Sequence, residues 1–212
     1  MAKEKELEPI GTLPPDWEPK EETSPDHLKE SPEAVGFSSE QEQWDLYYDI
    51  ANYIPEGESV LDFGCARGDF KSFHNSQFKS DIDYIGIDMN QHLIDVGIEK
   101  YDGTIDLRCI QWESLPDDLS QDWCINIGSS NLRYDANIKL SDDEYLKDTI
   151  RIMYKHANKG VVLLLTSNLL ETDDGLINRS PSDILNWALK EFGSVALDHS
   201  FSDDVFILVI YK

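Results

Sequence analysis

Short apolar runs rich in β-forming residues alternate along the chain with segments whose apolar side chains recur at helical spacing. The runs predict seven strands, at residues 59–62, 84–88, 104–111, 122–128, 161–165, 194–201 and 204–211. The run at 161–165 contains only apolar residues, as expected for a central strand that is buried on both faces. The last two strands are separated only by Ser202 and Asp203, which predicts a tight hairpin.

The helical segments predict five helices, at about 40–54, 70–79, 93–98, 141–160 and 180–192. Ser38 or Ser39, followed by acidic and amide residues, is a plausible cap for the first helix. Ser141 begins the fourth helix and is followed by three acidic residues, which are favourable at a helix N-terminus. Gly160 is expected to end that helix.

Strands and helices that alternate through short connections are typical of a parallel, doubly wound sheet. We therefore predict a Rossmann-like α/β fold with a mostly parallel, seven-stranded sheet. The C-terminal hairpin would insert one antiparallel strand. The chain has 212 residues, of which 40% are hydrophobic, so it can form the core of one domain and still carry an appendage.

The first 34 residues differ in composition from the rest of the chain. They hold six of the nine prolines, many charges of both signs and few large apolar residues. Such a segment buries too little surface to offset its ordering entropy, so alone it is expected to be extended or disordered. Trp17 could anchor it to a partner or could belong to a solvated tail. We predict an acidic, proline-rich arm at 1–34 and a globular domain at 35–212.

The formal net charge is -24, from 42 acidic and 18 basic residues. This charge disfavours non-specific binding to nucleic acid, because the phosphate backbone is also negative and no cluster of Lys and Arg offsets it. The sequence shows neither a signal-peptide pattern nor an apolar run long enough to span a membrane. Cys65, Cys109 and Cys124 lack the close spacing of zinc ligands, so a reduced, cytoplasmic protein without a metal is expected.

The best candidate for a ligand site is the stretch 59–70. An apolar strand ends at Asp62 and passes into a loop of small residues, from Gly64 to Gly68, before the next helix. Ligands of open α/β sheets bind beyond the carboxyl ends of the strands, where glycines let the backbone approach a cofactor closely. The neighbouring strand also ends in a carboxylate, Asp88, which is placed to accept hydrogen bonds from both hydroxyls of a ribose. Together these features predict a nucleoside site.

The order of residues in the loop indicates which class of nucleoside cofactor it can bind. Dinucleotide-binding folds use G-x-G-x-x-G, whose amides meet a pyrophosphate. This loop reads D-x-G-x-A-x-G-D from Asp62 to Asp69. Carboxylates at both edges disfavour a diphosphate and favour a ligand with a cationic amino group. Cys65, inside the loop, fits a small filler better than a nucleophile.

These motifs resemble those of the class I S-adenosylmethionine-dependent methyltransferases. The segment 60–70, Val-Leu-Asp-Phe-Gly-Cys-Ala-Arg-Gly-Asp-Phe, is similar to the first motif of that family, and 84–88 is similar to its second strand with the ribose-binding acid. The segments 33–39, 131–134, 145–149, 198–201 and 206–211 are similar to those of a poorly characterised branch from bacteria and their viruses. The resemblance covers residues 33–212 and leaves out only the arm.

The resemblance implies S-adenosyl-L-methionine as the cofactor, and it implies roles for individual residues. The cofactor-binding residues would be Asp62 and Gly64 at the amino end of the methionine moiety, Cys65, Ala66 and Gly68 around it, Asp88 at the ribose, Met89 on adenine, Gln111 or Trp112 at the adenine edge, and Gly128. The substrate-side residues would be Ser129, Ser130, Asn131 and Tyr134. Trp112 could instead belong to the core. Ala66 replaces a commoner glycine, which is tolerable with a negative φ and unfavourable with a positive one.

Methyl transfer to an unidentified acceptor is therefore the expected function, with no catalytic residue assigned. Orientation supplies much of the rate of such a reaction, and a general base is required only if the acceptor must first lose a proton. One alternative is a non-catalytic interaction or assembly protein, which could be viral, on a methyltransferase-like scaffold whose arm binds a partner protein. The other is a dinucleotide enzyme such as a dehydrogenase. Binding of S-adenosylhomocysteine would favour methyl transfer over the dinucleotide enzyme.

Overall fold

The structure, a computed structural model, describes residues 31–132, 141–169 and 176–212. Its helices are α1 (Glu40–Ala51), α2 (Asp69–Phe78), α3 (Gln91–Lys100), α4 (Asp142–His156) and α5 (Pro181–Phe192). Its strands are β1 (Ser59–Phe63), β2 (Asp83–Asp88), β3 (Asp106–Cys109), β4 (Gln121–Ile127), β5 (Ala157–Thr166), β6 (Val195–Asp198) and β7 (Val205–Tyr211). Short 3₁₀ turns lie at Pro32–Val35, Trp112–Ser114 and Ser129–Asn131.

All seven strands belong to one sheet, in the order β3-β2-β1-β4-β5-β7-β6. The pairs β3/β2, β2/β1, β1/β4 and β4/β5 are parallel. Strand β7 is antiparallel to both of its neighbours, β5 and β6. This architecture confirms the predicted Rossmann-like sheet with one antiparallel strand contributed by the C-terminal hairpin.

Hydrophobic side chains cover both faces of the sheet. In β5, Leu163 and Leu165 pack in the cluster that includes residues of α4 and α5, whereas Val162 and Leu164 pack in the cluster that includes residues of α1, α2 and α3. Burial on both faces explains why the sequence of this strand is apolar without alternation, and it confirms the prediction for 161–165. The two layers of helices leave the carboxyl ends of the parallel strands to form a site at one edge of the sheet.

The predicted end of the fourth helix is wrong. Helix α4 ends at His156, and Ala157 already has an extended backbone and begins β5. Gly160 lies within β5, where a Cβ would meet the ring of Trp123 and the carbonyl oxygen of Ile210. This glycine is therefore explained by close packing inside the sheet and not by a helix end.

The structure shortens two predicted strands. Strand β3 covers only Asp106–Cys109, because Thr104 bonds back to the Tyr101 carbonyl in the turn after α3 and Gln111 precedes a 3₁₀ turn. Strand β6 ends at Asp198, whose side chain accepts hydrogen bonds from the amide and hydroxyl of Ser200 in a turn.

Residues 1–30 of the predicted arm lie outside the described residues, and the expected boundary at 34/35 falls within the turn Pro32–Val35. The division into arm and domain therefore stays a prediction. In the part of the chain that the structure describes, the helices are too short or too polar to cross a bilayer.

Candidate functional site

The loop after β1 is held against the end of β2 by three hydrogen bonds that its backbone amides donate. The amides of Gly64 and Cys65 both donate to the Ile87 carbonyl, at 2.8 and 3.0 Å, and the Ala66 amide donates to Asp88 Oδ2 at 2.9 Å. Gly68 then adopts a positive φ of 76° and precedes α2. The loop and Asp88 thus form one hydrogen-bonded unit.

Gly64 is required at its position for two reasons. Its φ is +75°, which disfavours any residue with a Cβ, and a Cβ here would overlap the side chain of Ser129. Ser129 follows β4 and is held in place because its hydroxyl donates to the Phe63 carbonyl at 3.2 Å and accepts from Asn126 Nδ2 at 2.7 Å. The loop after β4 therefore packs directly on the loop after β1.

Ala66 has a φ of +49°, in the left-handed region. For a residue with a Cβ this conformation costs about 1–2 kcal/mol. Alanine in place of the commoner glycine is therefore unfavourable at this position, because φ is positive and not negative. The alanine nevertheless keeps the loop closed, since its amide is bonded to Asp88.

Asp88 is 9% exposed, and each of its carboxylate oxygens accepts one backbone hydrogen bond, Oδ2 from Ala66 and Oδ1 from Asn90 at 2.8 Å. Burial raises the pKa of this carboxyl, and the backbone donors oppose the effect. Each oxygen retains a lone pair for a further donor. Asp88 can therefore bind hydroxyl groups of a ligand without breaking the bonds that hold the loop.

Asp62 is buried behind the loop, outside the lining of the cavity described below. Its Oδ2 accepts a hydrogen bond from the Tyr84 hydroxyl at 2.6 Å, whereas its Oδ1 is buried without a partner among the described residues. Burial raises the pKa of Asp62 to about 7, although the Tyr84 hydrogen bond lowers it.

Asp69 does not face the cavity either. Its carboxylate pairs with Arg67 Nη2 at 2.6 Å and with Lys100 Nζ at 3.0 Å, and it accepts a hydrogen bond from the Tyr101 hydroxyl. Two cations therefore compensate its charge, so the expected repulsion between Asp69 and a diphosphate has no structural basis. The sequence pattern could not show this, because Lys100 and Tyr101 lie at the end of α3, about 30 residues downstream in the chain.

A cavity of about 610 Å³ lies over the carboxyl ends of β1, β2, β4 and β5. Among the predicted residues, those that line it are Gly64, Ala66, Asp88, Met89, Trp112, Gly128, Ser129 and Asn131. Those that the structure describes and that do not line it are Asp62, Cys65, Gly68, Gln111 and Ser130. Tyr134 lies outside the described residues. The fold thus brings the ends of four strands to one cavity.

Trp112 is 2% exposed and contributes both to the core and to the cavity wall. Its ring lies near those of Phe63 and Tyr145, and its Nε1 is buried without a hydrogen-bond partner among the described residues. Gln111, the other candidate at the end of β3, is half-buried and outside the lining.

Ser130 and Asn131 belong to a buried network beneath the cavity. Asn131 Nδ2 donates to the Leu164 carbonyl at 3.2 Å, and Asn131 Oδ1 accepts from the Thr166 amide and from Arg179 Nη1, each at 3.2 Å. Arg179 Nη2 donates to the Ser130 carbonyl at 2.9 Å. These bonds position the turn Ser129–Asn131 on the end of β5.

The cavity residues that sequence reasoning missed include Asn90, Leu93, Ile127 and Leu132, which lie close in sequence to predicted residues, and two further groups. One group precedes α1 or lies in it: Ala34, Val35, Gly36, Phe37, Ser38, Glu42 and Leu46. The other lies near the end of β5 and the start of β7: Leu164, Thr166, Leu176, Asp204 and Val205. The resemblance at 33–39 pointed to the first group without placing it at the site. No local pattern marks the second group.

The described residues contain no group of three or more His, Cys, Asp or Glu side chains that could hold a metal ion. Cys65 is buried, and burial raises the pKa of its thiol well above the ordinary value. A reactive thiolate at this position is therefore disfavoured.

No family model matches the sequence, and no curated protein matches it. Solved structures do. Magnesium protoporphyrin IX methyltransferase from Synechocystis PCC 6803, with bound S-adenosylmethionine, has a TM-score of 0.59 at 13% identity, over 81% of this chain and 79% of that one. The methyltransferase domain of a bacterial Hen1 protein has a TM-score of 0.57 at 15% identity, over 80% and 98%. The chain has the fold of the class I methyltransferases.

Two further structures show how widely this methyltransferase fold is used. The N-methyltransferase NodS from Bradyrhizobium japonicum WM9 has a TM-score of 0.55 at 14% identity, over 82% of this chain and 96% of that one. The cyclase SpnF has a TM-score of 0.56 at 14% identity, over 84% of each chain. The fold alone therefore does not define a reaction, and function must be argued from the site. The predicted placement in a bacterial and viral branch stays a prediction.

Proposed function

We propose that the protein binds S-adenosyl-L-methionine in the cavity and transfers the methyl group to an acceptor. The observation that carries this proposal is the position of Asp88, which ends β2 and lines the same cavity as Gly64 and Ala66 of the loop. A carboxylate at this place in an open α/β sheet suits the two hydroxyls of a ribose. Structures of the same fold with S-adenosylmethionine or S-adenosylhomocysteine bound support the choice of nucleoside.

The cavity fits such a cofactor in size and chemistry. Its volume of about 610 Å³ lies within the range of about 300–1,000 Å³ typical of small-molecule sites. Met89, Leu93 and Trp112 provide apolar surface for a purine next to Asp88. Gly64 and Gly128 line the cavity without side chains, which leaves room for the methionine moiety. Asp62 lies behind the loop and outside the cavity lining, so the contact with the amino group that the resemblance implies for it is not part of this proposal.

The bound cofactor supplies an electrophilic methyl group on a sulfonium centre. The residues of this chain then have to hold the acceptor in line with that group, because orientation supplies much of the rate of such a reaction. Asp88 anchors the ribose, and the turn Ser129–Asn131 lies between the end of β1 and the end of β5. That turn also lines the cavity, through Ser129 and Asn131.

The alternatives can be weighed against the same site. Since Asp69 is neutralised by Arg67 and Lys100, its charge does not argue against a dinucleotide, and NAD⁺ has to be tested directly. No observation on the described residues favours a non-catalytic assembly protein, and the arm that would bind its partner lies mostly outside them. A cytoplasmic location and a protein partner stay predictions.

Isothermal titration calorimetry with S-adenosylhomocysteine and with NAD⁺ tests the cofactor. We expect saturable binding of S-adenosylhomocysteine and none of NAD⁺. Absence of S-adenosylhomocysteine binding at millimolar concentration, by protein with a cooperative unfolding transition, would refute the proposal. Binding of NAD⁺ alone would select the dehydrogenase.

Asp88→Asn tests the ribose contact. Loss of the charged acceptor should weaken S-adenosylhomocysteine binding by about 10- to 100-fold. Asn keeps only one acceptor oxygen, so it loses one of the two bonds that Asp88 accepts from the amides of Ala66 and Asn90, and circular dichroism should confirm folding before affinity is compared. Asp83→Asn, at the exposed start of the same strand, is the matched control and should leave the affinity unchanged.

Cofactor binding alone does not demonstrate methyl transfer, because a cyclase shares the fold. Release of S-adenosylhomocysteine from S-adenosylmethionine, dependent on an added acceptor, is the decisive measurement. At S-adenosylmethionine concentrations below saturation, Asp88→Asn should reduce the rate of release in proportion to the lost affinity.

A further inference from the structure

One end of the cavity lies away from the residues assigned to the cofactor. It is bounded by the segment before α1, by the end of β5 and by the start of β7, and we call it the distal half. Its apolar lining residues are Val35, Phe37, Leu46, Leu164, Leu176 and Val205. Its polar lining includes Ser38, Glu42, Thr166 and Asp204. Strands β5 and β7 are separated from β2 by β1 and β4, so the part of this half that they form lies away from the Asp88 end.

All charged side chains among the described lining residues are acidic. They are Glu42 and Asp204 in the distal half and Asp88 at the other end, and no described Lys, Arg or His joins them. The nearby cation Arg179 is 3% exposed and lies beneath the cavity, where it donates to the Ser130 carbonyl and to Asn131 Oδ1. An anionic group in the distal half would therefore meet negative charge and no compensating described cation.

Both distal carboxylates keep an oxygen available for a ligand. Glu42 accepts the amide and the hydroxyl of Ser38 on the same atom, Oε2, both at 2.5 Å. Asp204 accepts the Ser202 hydroxyl on Oδ1. Thr166 Oγ1 donates to the Ile177 carbonyl at 2.6 Å and retains its capacity to accept. The polar groups of the distal half are thus mainly acceptors, and they suit a ligand that donates hydrogen bonds.

We propose that the methyl acceptor is an apolar small molecule that carries an amino group. The proposal rests on the proposed function and adds the chemical class of its second substrate. Apolar walls bind the hydrocarbon part by burial, and the carboxylates of Glu42 and Asp204 attract the ammonium form as it enters. The same charges disfavour phosphorylated and carboxylated acceptors and nucleic acids.

The reaction balances for this class of acceptor. A neutral amine nitrogen uses its lone pair to form the N–CH₃ bond while the S–CH₃ bond breaks and leaves its electron pair on sulfur. The products are S-adenosylhomocysteine and a methylated ammonium ion, which loses one proton to water. The entering ammonium first loses one proton to solvent. The resulting neutral amine needs no general base while it attacks, because its next proton is lost only after the N–CH₃ bond has formed.

Three probes of matched shape and different charge test the class: 2-phenylethylamine, 2-phenylethanol and 3-phenylpropionate. Each is titrated by NMR into the full-length protein saturated with S-adenosylhomocysteine. We expect the amine to bind about threefold more tightly than the alcohol and about tenfold more tightly than the carboxylate at low salt, with the difference reduced in high salt. Equal or tighter binding of the carboxylate, or no advantage of the amine over the alcohol, overturns the proposal.

Two variants locate the effect. Asp204→Asn and Glu42→Gln should each reduce the threefold preference for the amine over the alcohol to about 1.5- to 2-fold, because each removes one of the two charges and leaves the other. Asp203→Asn, an exposed neighbour outside the lining, is the control and should leave the preference unchanged. An unchanged preference in both lining variants also overturns the proposal.

The two proposals fail in different ways. If S-adenosylhomocysteine does not bind, the proposed function fails, whatever the probes do. If S-adenosylhomocysteine binds and the carboxylate probe is preferred, the cofactor assignment stands and only the acceptor class is wrong.

Discussion

Arg67 and Asp69, which flank Gly68 in the loop after β1, form a buried ion pair in which Arg67 Nη2 lies 2.6 Å from Asp69 Oδ2. Arg67 is 1% exposed, and its Nη1 also donates to the Ser31 carbonyl at 3.1 Å. Asp69 in turn binds Lys100 and Tyr101 at the end of α3. Burial raises the pKa of Asp69, but the Tyr101 hydroxyl, Arg67 and Lys100 outweigh it and hold that pKa below its usual value. The pair thus ties the loop to α3 and to the segment before α1.

Arg67→Met should strongly destabilise the protein. The substitution removes one partner of a buried pair and leaves the Asp69 carboxylate undercompensated, at a cost of about 3–5 kcal/mol. Urea denaturation at pH 7 measures the change in the free energy of unfolding. Arg108→Met, which breaks the half-exposed pair with Asp106, is the control and should cost less than about 1 kcal/mol. Similar losses in both variants would contradict the structural role of Arg67.

Gly64→Ala should destabilise the loop by two separable effects. The left-handed φ costs about 1–2 kcal/mol, and the overlap with Ser129 adds about 1–3 kcal/mol. Gly57→Ala has a similar φ of +83° with no atom near the new Cβ, so it measures the first effect alone.

A double-mutant cycle with Ser129→Gly isolates the overlap. Ser129→Gly removes the side chain that the new Cβ would meet, so Gly64→Ala should cost less in this background than in the wild type. Equal costs in the two backgrounds would show that Ser129 is not packed against Gly64. The free energy of unfolding is the measured quantity throughout.

Ala66→Gly should stabilise the protein. Glycine relieves the strain of a φ of +49°, which is about 1–2 kcal/mol, and returns part of that gain by increasing the entropy of the unfolded chain. A net gain of about 0.5–1 kcal/mol is expected, with the hydrogen bond from residue 66 to Asp88 intact. Lys79→Gly, at an exposed position with a φ of +53°, should show a similar gain. A loss of stability at position 66 alone would indicate that the Ala66 methyl group makes contacts that compensate its strain.

Asp62 should make stability depend on pH near neutrality. Its pKa of about 7 in the folded protein lies above the ordinary value of 3.8, so the folded state holds a proton that the unfolded state releases. The free energy of unfolding should therefore fall as pH rises between these values, by about 3 kcal/mol from pH 5 to pH 8 for this group alone.

Asp62→Asn should remove this contribution, since an amide does not titrate in the range. Urea denaturation of the wild type and the variant at several pH values gives the difference curve, in which the other titrating groups cancel. A flat difference curve between pH 5 and pH 8 would show that Asp62 is ionised throughout in the folded protein.

The spacing of apolar and polar residues predicted the seven strands, the five helices and the mostly parallel sheet, but not the bounds of every element. Burial of β5 on both faces appears in its sequence as an unbroken apolar run, and the helix caps Ser39 and Ser141 act on amides three residues away. These features are local, so a reader of the sequence can find them. The predicted end of α4 was wrong because glycine is common at helix ends. Gly160 is instead required by its close contact with the ring of Trp123 on the neighbouring strand β4.

The site, too, could be predicted only in part from the sequence. The loop, its acidic flanks and Asp88 could be predicted from the sequence, because the glycines of a loop and the ends of strands are visible in short stretches of consecutive residues. Three features could not be predicted, because each joins residues that are far apart in the sequence. They are the neutralisation of Asp69, the packing of Ser129 on Gly64, and the distal half with Glu42 and Asp204. Local pattern reports backbone conformation and burial. The charges and the shape of a ligand site depend on which segments, distant in sequence, come together. Only the tertiary structure decides this, because the sheet places the ends of β1, β2, β4 and β5 around one cavity.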